Sequence, residues 1–319
     1  MRKLLLVLLC APLLLLGSCD GDGDDLFPKT DSLGTGWTKI PTATDQTIYD
    51  MHFIGNTGFF VADSFVFKST DGGTTWQKIY QLAEDRIIGI AMGSEQNVIL
   101  IPSSGLYDHA MYTSQNGGAS FTRIALPDRL DVEDVVFVSP SVVYAAGEKF
   151  YKSTNGGLTW SSPLYDFDGY NQTSLHFLNA SVGWVHTVSG LFKTVNGGVN
   201  WERVPTPGFD YLVSASVYFV SANEGYAGDE TNVWKTINGG TSWTKVYHGD
   251  ERTLHDLRFF DSNNGYITGI HLYKTNNGGQ TWARDLRIRR GHEIVKIFFT
   301  DAYHGWASGT GGNLYKYVR

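Results

Sequence analysis

The sequence predicts an all-β fold, a seven-bladed β-propeller of four-stranded blades, closed by the N-terminal strand completing the last blade. Three observations predict it. First, a phrase of the form Lys-Ser/Thr-x-Asn/Asp-Gly-Gly-x-x-Trp recurs along the 319 residues, and its final aromatics Trp76, Phe121, Trp160, Trp201, Trp243 and Trp282 are spaced 45, 39, 41, 42 and 39 residues apart. A fixed period near forty residues means one supersecondary unit per repeat, and a unit of that size is a four-stranded blade. Second, an alternating stretch ending in Phe precedes each Gly-aromatic pair, as in Phe177 to Gly183-Trp184, Phe219 to Gly225-Tyr226, Phe259 to Gly265-Tyr266 and Phe299 to Gly305-Trp306. Val217/Phe219, Leu257/Phe259 and Ile297/Phe299 carry the period of two that marks a strand. Third, the seventh repeat is split: Leu314-Tyr315-Lys316-Tyr317 opens it at the C-terminus, and Gly36-Trp37-Thr38-Lys39-Ile40 finishes it at the front, Trp37 lying one 39-residue period before Trp76. Closing the ring in this way removes the edges that an open array of strands would expose.

The elements follow from the N-terminus. Met1-Arg2-Lys3 is a positive start, and Leu4 to Leu16 is an apolar stretch too short to span a bilayer. It runs into Leu16-Gly17-Ser18-Cys19, which resembles a bacterial lipoprotein box with Cys19 as the lipidated first mature residue. Residues 1–18 are therefore read as a lipoprotein signal peptide. Residues 19–35, opening with Asp20-Gly21-Asp22-Gly23-Asp24-Asp25, are read as an acidic flexible tether, since like charges and few apolar groups favour solvation. Residues 36–319 are the propeller. The expected location is the bacterial cell envelope, lipid-anchored, with the outer membrane first and surface exposure as an extension. Two readings of the leaflet stay open, because an acidic run after the Cys resembles a surface-export signal and Asp at the second position resembles an inner-membrane retention signal.

Within each repeat an inner strand ends in Phe, a second opens with Gly-aromatic, a third ends at the repeated phrase and a fourth opens with Trp. The phrase occupies a hairpin turn. Its Gly-Gly supplies positive φ, and its Asn or Asp (Asp71, Asn116, Asn155, Asn196, Asn238, Asn277) accepts hydrogen bonds from turn amides. The closing aromatic buries a large ring between blades while its N–H finds an acceptor. Five of the six acidic positions hold neutral Asn, a poor ligand for a hard cation, so no metal is expected there.

The pattern Ser/Thr-x-Asp/Asn-x-Gly-x-x-Trp/Phe resembles the Asp-box (BNR) repeat of sialidases, sortilin-type receptors and xyloglucan hydrolases. With Gly-aromatic ahead of it and Gly-Gly inside it, the fuller phrase is most similar to the photosystem II stability/assembly factor family, over residues 36–319. The resemblance implies the propeller fold, which carries hydrolases, receptors and assembly factors alike. It implies no tie to chlorophyll. It also implies an arginine patch, for which Arg284, Arg287, Arg289 and Arg290, with His292 beside them, are the candidates.

Function narrows by exclusion. Loss of Arg2 and Lys3 with the signal takes the net charge from −7 to −9, which argues against nucleic acid as a partner. Only Cys10 and Cys19 are present, so the mature chain has one cysteine and no internal disulfide. No His/Cys metal spacing, phosphate loop or Gly-x-Ser-x-Gly elbow appears, so no cofactor, metal or catalytic residue is expected. The repeated turns mark the face opposite the ligand face. That ligand face is built from loops rich in aromatic and acidic residues, with Tyr165, Phe167, Tyr170, Phe209 and Tyr211 as candidate platforms for a sugar or peptide. Asp50, Asp134 and Asp256 each precede an inner-strand Phe by three residues. Their recurrence reads as a blade feature first and as a glycosidase acid and base second. The reading is a non-enzymatic lipoprotein propeller, held to the membrane by lipid and binding a protein or glycan; the alternative is a glycoside hydrolase.

Overall fold

A computed structural model gives seven antiparallel sheets arranged as blades. It describes residues 31–83, 86–103, 110–127, 132–147, 149–161, 164–167, 174–187, 189–206, 216–229, 231–249 and 254–319. The inner strands of blades 1 to 7 are Ile48–Ile54, Ile87–Met92, Val132–Phe137, Ser174–Phe177, Ser216–Phe219, Leu257–Phe259 and Ile294–Phe299. Among the described residues there is no α-helix, only a short 3-10 turn at Thr310–Gly312, and no helix is long and apolar enough to cross a membrane.

The seventh blade is completed as expected. Trp37–Ile40 pairs antiparallel with Leu314–Val318, Trp37 opposite Tyr317 and Ile40 opposite Leu314. Trp37 is buried against Tyr266, Phe299 and Tyr317, and its indole N–H donates to Asp285 Oδ2 of blade 6 at 2.7 Å. Strand structure begins earlier than the expected tether boundary. Ser32–Leu33 adds a fifth strand to blade 6, pairing with Arg287 and Leu286. Just before it the Asp31 carboxylate accepts from Lys39 Nζ (2.6 Å), Tyr315 Oη (2.7 Å) and the Arg289 amide (3.1 Å). The N-terminal segment thus straps blade 6 to blade 7.

The second repeated phrase encodes the contact between blades. The aromatic that opens the second strand of one blade lies flat on the inner-strand Phe of the next. Trp306 stacks on Phe53 and Trp184 on Phe219, both at 3.6 Å between centroids, and Tyr226 stacks on Phe259 at 3.4 Å. The lysine that opens the following turn covers the same aromatic: Lys68 over Phe59, Lys152 over Tyr144, Lys193 over Trp184, Lys235 over Tyr226 and Lys274 over Tyr266, all between 5.2 and 5.4 Å. Each such ring buries area on one face and meets a cation at the other.

This stacking explains the glycine before the aromatic. A Cβ on Gly225 would fall inside van der Waals contact of three Phe219 ring atoms, and Phe219 has no room to retreat because Trp184 lies on its other face. Gly225→Ala is therefore expected to cost about 1–3 kcal/mol, the usual range for overpacking. Denaturant titration checks this, and Gly225→Ala with Phe219→Leu should recover part of the loss. Additive losses in the double variant would rule out the ring as the cause.

Candidate functional site

The repeated turns are built alike in six blades. In the first, Ser69 Oγ donates to Asp71 Oδ1 (2.8 Å) and accepts from the Gly73 amide (2.8 Å), while Asp71 Oδ1 accepts from the Thr74 and Thr75 amides. The same pair of bonds recurs from Ser114 to Asn116 and Gly118, and from Thr275 to Asn277 and Gly279. The Thr75 hydroxyl foremost, with the turn amides, holds Asp71 well below the usual carboxylate range. These groups are consumed by the turn. The closing aromatics divide: Trp76 and Trp160 donate to the carbonyls of Gly73 and Gly157 and Trp243 to that of Pro205, whereas the indole N–H groups of Trp201 and Trp282 have no acceptor among the described residues. Trp201 reaches Phe150 and Phe167 of blade 3, and Trp282 reaches Tyr247 of blade 5, so these two rings bridge blades.

The chemistry that remains lies on the axis, where the inner strands line a channel of about 460 Å³. Three residues before the Phe of each inner strand, or before Met92 in blade 2, stands one ring of positions: Asp50, Gly89, Asp134, Ser174, Ser216, Asp256 and Lys296. In blades 1, 2, 3 and 7 the pairing slips by one residue just before this ring, as between Ile48 and Asp50 or Ile294 and Lys296. Such a slip bends the strand and re-aims the side chains beside it, here at the channel mouth.

The three aspartates have one shared role. Asp50 accepts from the Met51 amide and, across the blade boundary, from the Ile90 amide, both at 2.9 Å. Asp134 accepts in the same way from Val135 and Leu175 at 2.8 Å, and Asp256 from Leu257 at 2.9 Å and Ile297 at 3.3 Å. Each carboxylate thus joins its own inner strand to the next one, which is why the residue recurs. Lys296 sits between two of them, its Nζ 3.4 Å from Asp50 and 3.6 Å from Asp256. Burial raises the Asp50 carboxyl, partly offset by Lys296, and pushes Asp134 up to about 6. Burial works against the charge of Lys296 too, yet Asp256, Asp50 and Asp134 together hold its ammonium above the usual lysine range.

One residue before the inner-strand Phe lies a second ring of different character. His52, Phe298, Arg258, Tyr218 and His176 follow one another around the wall from blades 1, 7, 6, 5 and 4. His52 meets Phe298 at 4.8 Å and His176 meets Tyr218 at 4.5 Å, while the Arg258 guanidinium lies 5.0 Å from the Tyr218 ring and 5.7 Å from that of Phe298. Burial, then the Arg258 charge, brings both histidines down to about 3, so both are neutral at physiological pH. His176 Nε2 lies 2.8 Å from the Phe219 carbonyl, which assigns its proton to that nitrogen.

The sequence-predicted candidates separate. Phe167 was expected on a ligand-face loop; it is buried, packed against Phe192 and Trp201 between blades 3 and 4. Tyr165 is also not in a loop, since Tyr165–Asp166 forms the outer strand of blade 3 opposite Lys149 and Phe150. An apolar ring at the end of an outer strand has a neighbouring blade to fold against, and Phe167 takes that place. Tyr170, Phe209 and Tyr211 lie outside the described residues. Of the arginines, Arg284 and Arg287 belong to the outer strand of blade 6, where Arg284 donates to Tyr273 Oη, and Arg289 and Arg290 are exposed at the turn beyond it. Cys19 lies outside the described residues. No group of three or more metal-ligating side chains occurs among those described. Sequence reasoning missed Lys296, Arg258, His52 and His176; alignment of the repeats on their inner-strand Phe would have found them, as the positions that change from blade to blade.

No family model matches the sequence, and no curated protein matches it. Solved structures do. YCF48 from Cyanidioschyzon merolae is similar with a TM-score of 0.73 at 19% identity, over 89% of this chain and 98% of that one. YCF48 bound to D1 peptide gives 0.73 and 19% over 92% and 99%. The GH74 enzyme of Niastella koreensis gives 0.68 at 13% identity, over 88% of this chain but only 53% of the enzyme. At these identities the likeness establishes the fold.

Proposed function

We propose that this chain is an envelope lipoprotein, anchored through Cys19, whose propeller is a non-enzymatic binding module for a protein partner. The observation that carries the reading is the commitment of the channel carboxylates. Asp50, Asp134 and Asp256 each engage both oxygens with backbone amides of two blades, and Asp50 and Asp256 also face Lys296, so at most Asp134 keeps acceptor capacity to spare and no pair of free carboxyls remains. A glycosidase needs one carboxyl free to protonate a leaving oxygen and another free to attack or to activate water. Fold likeness supports the same side: YCF48, of nearly the same length, has been seen with a D1 peptide, whereas the likeness to the GH74 enzyme spans only 53% of that chain. The exposed Arg289 and Arg290 offer an acidic partner a first contact on the rim.

The test compares activity with capture. Purified residues 19–319 should release no product from a polysaccharide panel. Membrane-anchored parent should retain a cross-linked protein partner, and Arg289→Ala with Arg290→Ala should weaken that retention, as should rising salt. Cys19→Ala should abolish palmitate labelling and membrane association. Reproducible hydrolysis that Asp134→Asn or Asp256→Asn abolishes, with folding intact, would make this a hydrolase instead.

A further inference from the structure

The channel holds two groups of opposite charge, Asp134 and Arg258, whose hydrogen-bonding capacity the described residues leave unfilled. Of its three aspartates, Asp50 and Asp256 share Lys296 within 4 Å, whereas Asp134 feels that lysine at longer range and has no cationic side chain within 4 Å among the described residues. It accepts only two backbone N–H bonds, from Val135 and Leu175, and a carboxylate has room for about four. On the other side of the ring Arg258 forms no ion pair among the described residues, and its Nε is buried with no acceptor among them. The rings of Tyr218 and Phe298 hold the guanidinium from the sides, and His52, His176 and Lys296 are near enough to feel its charge. A guanidinium donates in the plane of the group and an aromatic ring accepts over its face, so these contacts leave in-plane donors unused. Both residues line the same cavity, from blades 3 and 6, and they do not bond to each other.

Unpaired charges in a partly dehydrated channel are costly, and apolar or paired residues would serve the ring better. Blade 2 shows as much, with Gly89 at the position that Asp134 takes in blade 3, so the ring closes without a charge there. We infer that the channel binds a small zwitterion of the amino-acid or short-peptide class, its carboxylate on Arg258 and its ammonium on Asp134. A zwitterion neutralises both residues at once, which neither a simple anion nor a simple cation does. The volume of about 460 Å³ lies within the range of ligand cavities and admits a dipeptide with water. Tyr218, Phe298 and the neutral imidazoles of His52 and His176 give the ligand carbon skeleton flat apolar walls. Lys296 Nζ is already engaged, lying between the carboxylates of Asp50 and Asp256.

This site goes beyond the partner docking proposed above, and the two can fail separately. The experiment screens residues 19–319 by thermal shift against the twenty amino acids and a dipeptide library, then measures each stabilising compound by calorimetry. At least one zwitterion should bind with a Kd below about 1 mM, a modest value for a small ligand that makes two charged contacts. Its N-acetyl and its C-terminal amide derivatives should each bind at least tenfold more weakly. Asp134→Asn and Arg258→Met should each lose tenfold or more, while retention of the protein partner stays as in the parent. Should Arg258→Met fail to fold, Arg258→Lys and the blocked ligands still decide. No binding by any member of the screen, or equal binding of the blocked derivatives, would overturn the assignment.

Discussion

Removal of residues 36–41 will open the ring. This segment supplies the whole outer strand of blade 7, and no other part of the described chain can replace it, because Leu314–Val318 already pairs on its other side with His304–Gly309. The deletion discards the buried rings of Trp37 and the side chain of Ile40, together with the indole bond to Asp285. Large apolar truncations cost about 2–5 kcal/mol each, and several strand hydrogen bonds go with them at about 1 kcal/mol apiece. The total is on the order of 10 kcal/mol, as much as the entire stability of many domains. The expected outcome is insoluble protein, or a Tm lower by roughly 20 °C or more, with bare strand edges that promote association. A permutant carrying residues 31–41 after Arg319, through a short linker, should regain most of the loss, since the strand is then restored without its original connection. A deletion that melts within about 2 °C of the parent would remove the closing role of Trp37–Ile40.

What could be read from the sequence is what repeats, and the reason is physical. Gly225-Tyr226 and Phe259 recur because every blade must stack on the next, so the period exposes them. Asp50, Asp134 and Asp256 were visible for the same reason, and their role in joining inner strands is a role that a ring needs several times over. Arg258 and Lys296 each stand once at their register, and histidine stands at its own in only two blades, as His52 and His176, among Phe298, Arg258 and Tyr218. Repetition therefore cannot reveal them, although the register counted back from the inner-strand Phe does. The error over Phe167 has another origin. A run of aromatics and acids has the same composition whether it forms a platform in a loop or a strand sealing two blades. Only the pairing of Tyr165 with Phe150 decides between them, and that pairing is set by the preceding strand rather than by the segment itself.

Acid should unfold the parent through the two channel histidines, and substitution of both should blunt the effect. His52 and His176 sit at about 3 in the folded ring against 6.5 in an unfolded chain, because burial and the Arg258 charge both oppose a second positive group there. A lowered histidine contributes stability that is complete above pH 6.5 and is lost as pH falls toward 3, since the unfolded chain takes up protons first. Between pH 7.5 and 4.5 two such groups forfeit up to about 5 kcal/mol, and roughly half of that after allowance for water in the channel. Asp134 works in the opposite sense. Its carboxyl, at about 6 when folded and 3.8 when not, is held as a charge at a cost above pH 6, and that cost disappears as the pH falls to 4. The signs therefore separate the residues. Glutamine can keep the donor that His176 offers to Phe219 without titrating, so His52→Gln with His176→Gln should gain on the parent by roughly 5–10 °C in Tm between pH 7.5 and 4.5. Asp134→Asn, which keeps an acceptor and loses the charge, should lose ground to the parent over the same interval. Melting curves of the three proteins that run parallel across this range would mean that none of these groups titrates differently on folding, and the polar ring would then have to be far wetter than its packing indicates.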